Sequence, residues 1–282
     1  MEWLYTLFES LGKIPIGKVS KIFFDFLKTN FKGDFSAFGD AVKSAIEGFS
    51  DLLQSVPTFL LVIGFIVLTW FIQKKWQRCL LVLVCFLFII NQGYWKQTVE
   101  TLSLVTFVCA ICMTIGIPIG VAAAHRPRLY TAMQPILDLM QTLPAPVYLI
   151  PFVIMFSIGV VPALFASIIF VVPTSIRLTH LGVSTTPTAL IEALTAFGAT
   201  KRQVLWKAEL PYAFPQIMAG LNQTIMLSLS MVVISAWGGA AGLGVPVVEA
   251  LNRVRPDQGF EAGSVIVALA IALDRMLRKG DA

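Results

Sequence analysis

Residues 185–215 read TTPTALIEALTAFGATKRQVLWKAELPYAFP and join two long apolar runs. The stretch is too structured for a mere connector. Thr186 is placed to cap a first helix, with Pro187 at its opening position, where a missing N–H costs nothing. That helix should run to Phe197, and Gly198 should end it in the left-handed conformation that suits glycine. Thr200 is then the cap of a second helix that ends before Pro211. The expected product is a helix, a bend and another helix.

The flanking runs set the solvent. Of 282 residues 57% are hydrophobic and 13% charged, and the mean hydropathy is +0.81. One soluble domain does not cover that much apolar side chain, so the fold class is an all-α membrane protein. Spans are expected at 56–73, 79–93, 98–124, 128–157, 160–183, 211–236 and 259–277, with the last five as the core. The net charge of +5 does not indicate nucleic acid, because the basic residues cluster beside spans. Lys74, Lys75, Arg78, Arg126, Arg128, Arg177, Lys201, Arg202, Lys207, Arg275, Arg278 and Lys279 all fall on one side of seven spans. The cytoplasmic side carries such an excess, so the loop at 186–211 is placed inside and residues 1–55 outside.

Residues 1–55 carry helical apolar stripes, one through Val19, Ile22, Phe23, Phe26, Leu27 and Phe31, another through Phe35, Phe38, Val42, Ile46, Phe49 and Leu53. Gly12–Gly17 separates a short first helix from them. Such amphipathic helices suit the membrane surface. The start has no basic segment with a short apolar core and cleavage site, so no signal peptide is expected. Cys79, Cys85, Cys109 and Cys112 lie inside apolar runs and read as small packing residues, even though Cys109 and Cys112 have the spacing of a redox or zinc site. Cys112, Gly116, Gly120 and Ala124 form a small-residue row on which another helix can pack closely. Pro118, Pro135, Pro144, Pro146, Pro151, Pro162 and Pro173 interrupt the third to fifth spans, as helices lining a polar path tolerate. No inverted repeat is evident, which weighs against a secondary transporter.

The 185–215 stretch resembles the coupling loop of ABC importer permeases: Glu-Ala-Ala, three residues, Gly, nine residues, then Ile-x-Leu-Pro. Glu192, Ala193, Gly198, Leu210 and Pro211 match at that spacing, while Leu194 and Ala208 depart from it. The likeness extends from about Asn91 to Leu277. QPILDLMQTLPAPVYLIPFV, IRLTHLGV, IMAGLNQTIMLSLSMVVIS, GLG and ALAIALDR are similar to permeases of the glycine betaine/proline subfamily. Trp237 stands where that subfamily has a smaller aliphatic residue. The resemblance implies a type I importer permease fold: a five-helix core over 94–282 with the coupling loop at 186–211, two accessory spans at 56–93 and the N-terminal tail. It implies an inner-membrane location in bacteria and a permease homodimer. Two ATPase subunits would bind ATP and Mg and receive Glu192, Ala193, Phe197, Gly198, Ala199, Leu210 and Pro211, and a separate binding protein would deliver a betaine-type osmolyte. No cofactor and no enzymatic step are then expected on this chain.

Other signals carry less. GKIPIGK at 12–18 imitates a phosphate-binding loop but is followed by Val19 and preceded by no buried strand. Asn222-Gln223-Thr224 fits a glycosylation sequon inside an apolar run. His125 and His180 are single, beside Arg126 and Arg177, and read as interfacial; no metal site is expected. Asp138, with Gln134 and Gln141 on the same helical face, lies about 15 Å past Arg128 at 1.5 Å per residue. An intramembrane acid faces a cavity or a partner, so Gln134, Asp138 and Gln141 are pathway candidates, with an interhelical hydrogen bond as the alternative. Asn222, Ser228 and Ser230 pose the same choice, and Trp237 is a candidate at the outer end. An ion-coupled carrier or channel is the alternative function; it leaves the coupling motif unexplained.

Overall fold

A computed structural model describes residues 16–277. Among them there are helices and turns but no strand. α1 spans Ile16–Ser55, α2 Thr58–Gln73, α3 Trp76–Asn91, α4 Trp95–Ala124, α5 Pro127–Thr142, α6 Ala145–Phe156 and α7 Val160–Ser184. Then come α8 Thr188–Ala196, α9 Lys201–Val204, a wider π turn at Leu205–Glu209, α10 Leu210–Trp237, α11 Gly244–Asn252 and α12 Pro256–Leu277.

The centre is α7 clamped between α4 and α10. Packing here is backbone-close because side chains are missing where the helices meet. A Cβ on Gly116 would overlap Ser175 Oγ, one on Gly120 would lie 2.6 Å from Thr179 Cβ, and one on Gly182 would lie 2.9 Å from Gln216 Cβ. Without a hydrophobic drive between helices in lipid, such van der Waals contact is what holds them. Ser175 Oγ donates to the Cys112 carbonyl at 2.9 Å, stitching α4 to α7. Cys112 is buried in this contact and Cys109 is buried on the α10 side of α4, its Sγ 3.9 Å from Ser228 Oγ. The small-residue row therefore does what its spacing predicts.

Three helical stretches are by themselves long and apolar enough to cross a membrane: Trp95–Ala124, Val160–Ser184 and Lys201–Trp237. Two bent pairs, Phe35–Ser55 with α2 at 102° and α5 with α6 at 90°, raise the number to as many as five if each is one span. The span expected at 128–157 is thus two helices. Pro144 forces the residue before it out of the helical region, and Leu143 sits at φ −64°, ψ 136°. α2 and α3 have 16 residues each, about 24 Å at 1.5 Å per residue. α3 and α12 pack together, and Val82, Phe86, Ile89, Val265 and Leu269 are buried between α2, α3, α4, α10 and α12.

Residues 16–55 also depart from expectation. They form one helix instead of two, and its second stripe packs on the bundle. Phe35 and Phe38 meet Phe156, Phe38 meets Phe165, and Phe49 meets Phe107 with ring centroids 5.9 Å apart. Ile46 is buried with Leu104 and Val108. Edge and tilted aromatic contacts against apolar helices hold this stripe on the bundle. The short helix expected before Gly12 lies outside the described residues, as do the GKIP part of the 12–18 stretch, Arg278 and Lys279.

Since a Cβ at Gly116 would force α4 from α7, Gly116→Leu should lower stability by about 1–3 kcal/mol or more. Gly64→Leu on α2, where nothing lies within 4 Å, should be nearly neutral. Thermal melting of the purified protein in detergent checks the difference; equal melting would show that the α4–α7 contact is not the tight one.

Candidate functional site

α8 is built as a projection. None of its residues is buried, and Leu190, Glu192 and Ala193 are exposed. The helix ends on paired bonds, Gly198 N–H to Thr195 O at 2.9 Å and Ala199 N–H to Leu194 O at 3.0 Å. These are the two bonds of a Schellman cap, and they require a left-handed residue between them; Gly198 has φ +79°. Phe197 is pushed outward and is 90% exposed. Thr200 then caps α9 in a reciprocal capping box with Gln203.

Two expectations are corrected here. Thr186 is not a cap: Pro187 occupies that position, and Thr186 Oγ1 is buried without a hydrogen-bond partner. The second helix does not end before Pro211. It widens through the π turn, where Leu210 N–H reaches Leu205 O, and runs on into α10. Pro211 lacks an N–H and its ring would collide with a carbonyl one α-turn back; the wider turn accommodates both faults. Leu210 is half-buried at this junction and Pro211 is exposed.

A buried acid fastens the junction. Glu209, with its side chain 8% exposed, meets His125 Nε2 through Oε2 at 2.8 Å. His125 closes the end of α4, so the loop is tied to the bundle at the α4 terminus as well as through α10.

The second polar region lies between α5 and α7. Asp138 Oδ1 accepts from Arg177 Nη2 at 2.5 Å, and Gln141 Oε1 accepts from Arg177 Nη1 at 2.8 Å. Gln141 Nε2 also donates to Thr174 Oγ1 at 3.1 Å. Tyr130 and His180 stack with centroids 3.6 Å apart, and Gln134 is exposed on the same side of α5. Asp138 and Gln141 are thus brought together by Arg177, which the sequence reading counts only among the basic residues of the cytoplasmic side. Arg177 sits in α7, seven residues before its end; a charge inside the expected 160–183 span was the available signal. Elsewhere, Asn222 Nδ2 donates to Asp274 Oδ1 of α12 at 2.6 Å, and Trp237 is exposed at the far end of α10. Neither contributes to the α5–α7 cluster. No group of three potential metal ligands occurs among the described residues.

Residues 116–275 match the family described as binding-protein-dependent transport system inner membrane component. The chain belongs to that family. It is 42% identical over 268 residues to the glycine betaine transport system permease protein of Bacillus subtilis, covering 95% of each chain. It is 41% identical to the glycine betaine/carnitine transport permease protein of Listeria monocytogenes over 88% of this chain and 89% of that one. Among solved structures, an inward-facing form of the MetNI methionine ABC transporter aligns with TM-score 0.57 and 26% identity, covering 64% of this chain and 92% of that chain. The all-α fold is therefore that of a type I ABC importer permease, a non-catalytic multi-pass membrane subunit. Within the matched region of this transport component fall α7, the α8–α9 loop, α10 and nearly all of α12.

The Glu209–His125 contact has a testable energy. His125→Ala leaves a buried carboxylate without its partner, so it should lower the melting temperature of the purified component. Adding Glu209→Gln should recover part of the loss, with a coupling of about 0.5–3 kcal/mol in the double-mutant cycle. Strict additivity would mean that the pair does not fasten the loop.

Proposed function

We propose that this chain lines the translocation pathway of an ATP-driven importer for a small quaternary ammonium osmolyte of the glycine betaine class. The relatives named above carry glycine betaine or carnitine in their descriptions, and others carry proline betaine, trimethylamine N-oxide or choline; the shared chemistry is a methylated ammonium. The observation that carries the mechanism is the α8–Gly198–α9 loop. A helix with no buried residue and a protruding Phe197 needs a partner, since exposed apolar groups of this kind mark interaction sites.

The partner proposed is an ATPase subunit that holds ATP and Mg. Phe197 and Leu190 fill its groove, Glu192 offers a charge-assisted hydrogen bond, Ala193 and Ala199 allow close approach, and Gly198 fixes the angle. Movement of the ATPase passes through Leu210 and Pro211 directly into α10, because the π turn makes loop and spanning helix one rod. Two permease copies enclose the pathway, two ATPases take the two loops, and a separate binding protein delivers solute on the far side. The basic ends are cytoplasmic and the membrane is the bacterial inner membrane. Residues 94–282 form the working core, 56–93 the accessory helices, and 1–55 an external segment whose second half braces the core. Gln134, Asp138 and Gln141 face the path, Trp237 stands at its outer end, and Asn222 holds α12 to α10 beside it. An ion-coupled carrier leaves the projecting loop without a role.

Gly198→Val places a β-branched residue in the left-handed region, at a cost of about 1–2 kcal/mol or a redirected α9. Together with Glu192→Lys, tested separately, it should reduce binding-protein-stimulated ATP hydrolysis in nanodiscs about tenfold or more (roughly 1.4 kcal/mol of coupling), and less ATPase should co-purify. Full stimulation and full co-purification in both variants would overturn the reading.

A further inference from the structure

Arg177 and Asp138 form an ion pair whose side chains are 32% and 66% exposed. Arg177 belongs to α7, a helix long and apolar enough to cross the membrane, and stands seven residues, about 10 Å, from its end at Ser184. Charge turned toward hydrocarbon is expensive, and such groups face a partner or water. Leu137, the residue before Asp138 on α5, is buried against the bundle, whereas Gln134 and Asp138 are exposed and Gln141 is half-buried where it meets α7, so this face lies along the edge of the α5–α7 contact. On α7 the same side carries Thr174 and Arg177, joined by Gln141, and then His180 against Tyr130. The result is a polar seam that ends toward the loop in an aromatic brace.

We propose that this pair is a solute-contacting element of the pathway that selects zwitterions: Arg177 takes the carboxylate of the solute and Asp138 its quaternary ammonium. The assignment rests on the importer reading above. In the absence of solute the two charges satisfy each other. A zwitterion replaces each partner in turn and leaves neither charge unpaired, whereas a simple cation satisfies Asp138 and strands Arg177. Partial exposure keeps the exchange cheap, because an exposed ion pair contributes little net stability. Gln141 remains on the second Arg177 nitrogen and holds the guanidinium in place, leaving its other nitrogen free to meet a carboxylate.

The test places a single cysteine at Gln134→Cys in a chain whose four native cysteines are replaced, assembled with the ATPase in nanodiscs. Rates of reaction are measured with a trimethylammonium and with a sulfonate thiosulfonate reagent. Gln134→Cys should react with both, and saturating glycine betaine should slow the reaction about threefold or more, while choline, which lacks a carboxylate, should slow it less. Adding Arg177→Gln should abolish protection by glycine betaine and raise the cation-to-anion rate ratio about threefold; Asp138→Asn should move the ratio the opposite way. A brace that solute never meets shifts the ratio through its charge alone, but it gives no protection by glycine betaine that depends on Arg177. Failure to label the assembled complex, a ratio unchanged in both variants, or equal protection by choline overturns the proposal. Stimulation of ATP hydrolysis by the liganded binding protein, measured in the same samples, shows whether the importer reading stands when the pair assignment falls.

Discussion

Everything in this molecule hangs from the absence of side chains where α4, α7 and α10 meet. Gly116 and Gly120 bring α4 against Ser175 and Thr179, and Gly182 brings α7 against α10. Lipid tails are as apolar as leucine, so no hydrophobic drive holds these helices to one another; close contact and buried hydrogen bonds must. Ser175 on the Cys112 carbonyl supplies one such bond. The three helices consequently behave as one body, and elements fixed to any of them move with it.

Two working surfaces are fixed to that body. The loop reaches it through the π turn into α10 and through Glu209 on His125. The polar seam reaches it through α7, because Arg177 and Thr174 are α7 residues that hold Gln141 of α5. A displacement applied at Phe197 therefore has a short mechanical route to the groups proposed to touch solute. Pro144, by breaking α5 from α6 at 90°, leaves α5 packed on α7 and α4 while α6 lies against α1 and the opening of α7. That separation lets the seam-bearing helix respond to α7 independently of the rest of the expected span.

Much of this was legible in the sequence. The four-residue spacing of Cys112, Gly116, Gly120 and Ala124 announces the tight face, and Gly198 followed by Thr200 announces a Schellman end and a capped restart. These signals are local, so one stretch of chain contains them. What escaped is non-local or a matter of degree. Pro211 looked like a stop, since a chain reading does not show that a widened turn will absorb it. Pro144 looked like one of several kinks, although it bends the chain through a right angle. The apolar stripe from Phe35 to Leu53 has the same pattern whether it meets lipid headgroups or Phe156 and Phe165. Arg177 reads only as one of the basic residues of the cytoplasmic side because its partners, Asp138 and Gln141, stand more than thirty residues away; its position inside an apolar run is the clue to its role.

The central claim is that the loop from 186 to 211 is where an ATPase docks, and the protruding ring of Phe197 reports on it most directly. In a chain carrying Phe197→Cys as its sole cysteine, the rate of labelling by a hydrophilic thiol reagent can be measured with the permease alone and after assembly with the ATPase subunit. The account predicts fast labelling of the isolated permease and strong protection in the complex. The same fast rate with and without the ATPase would contradict it.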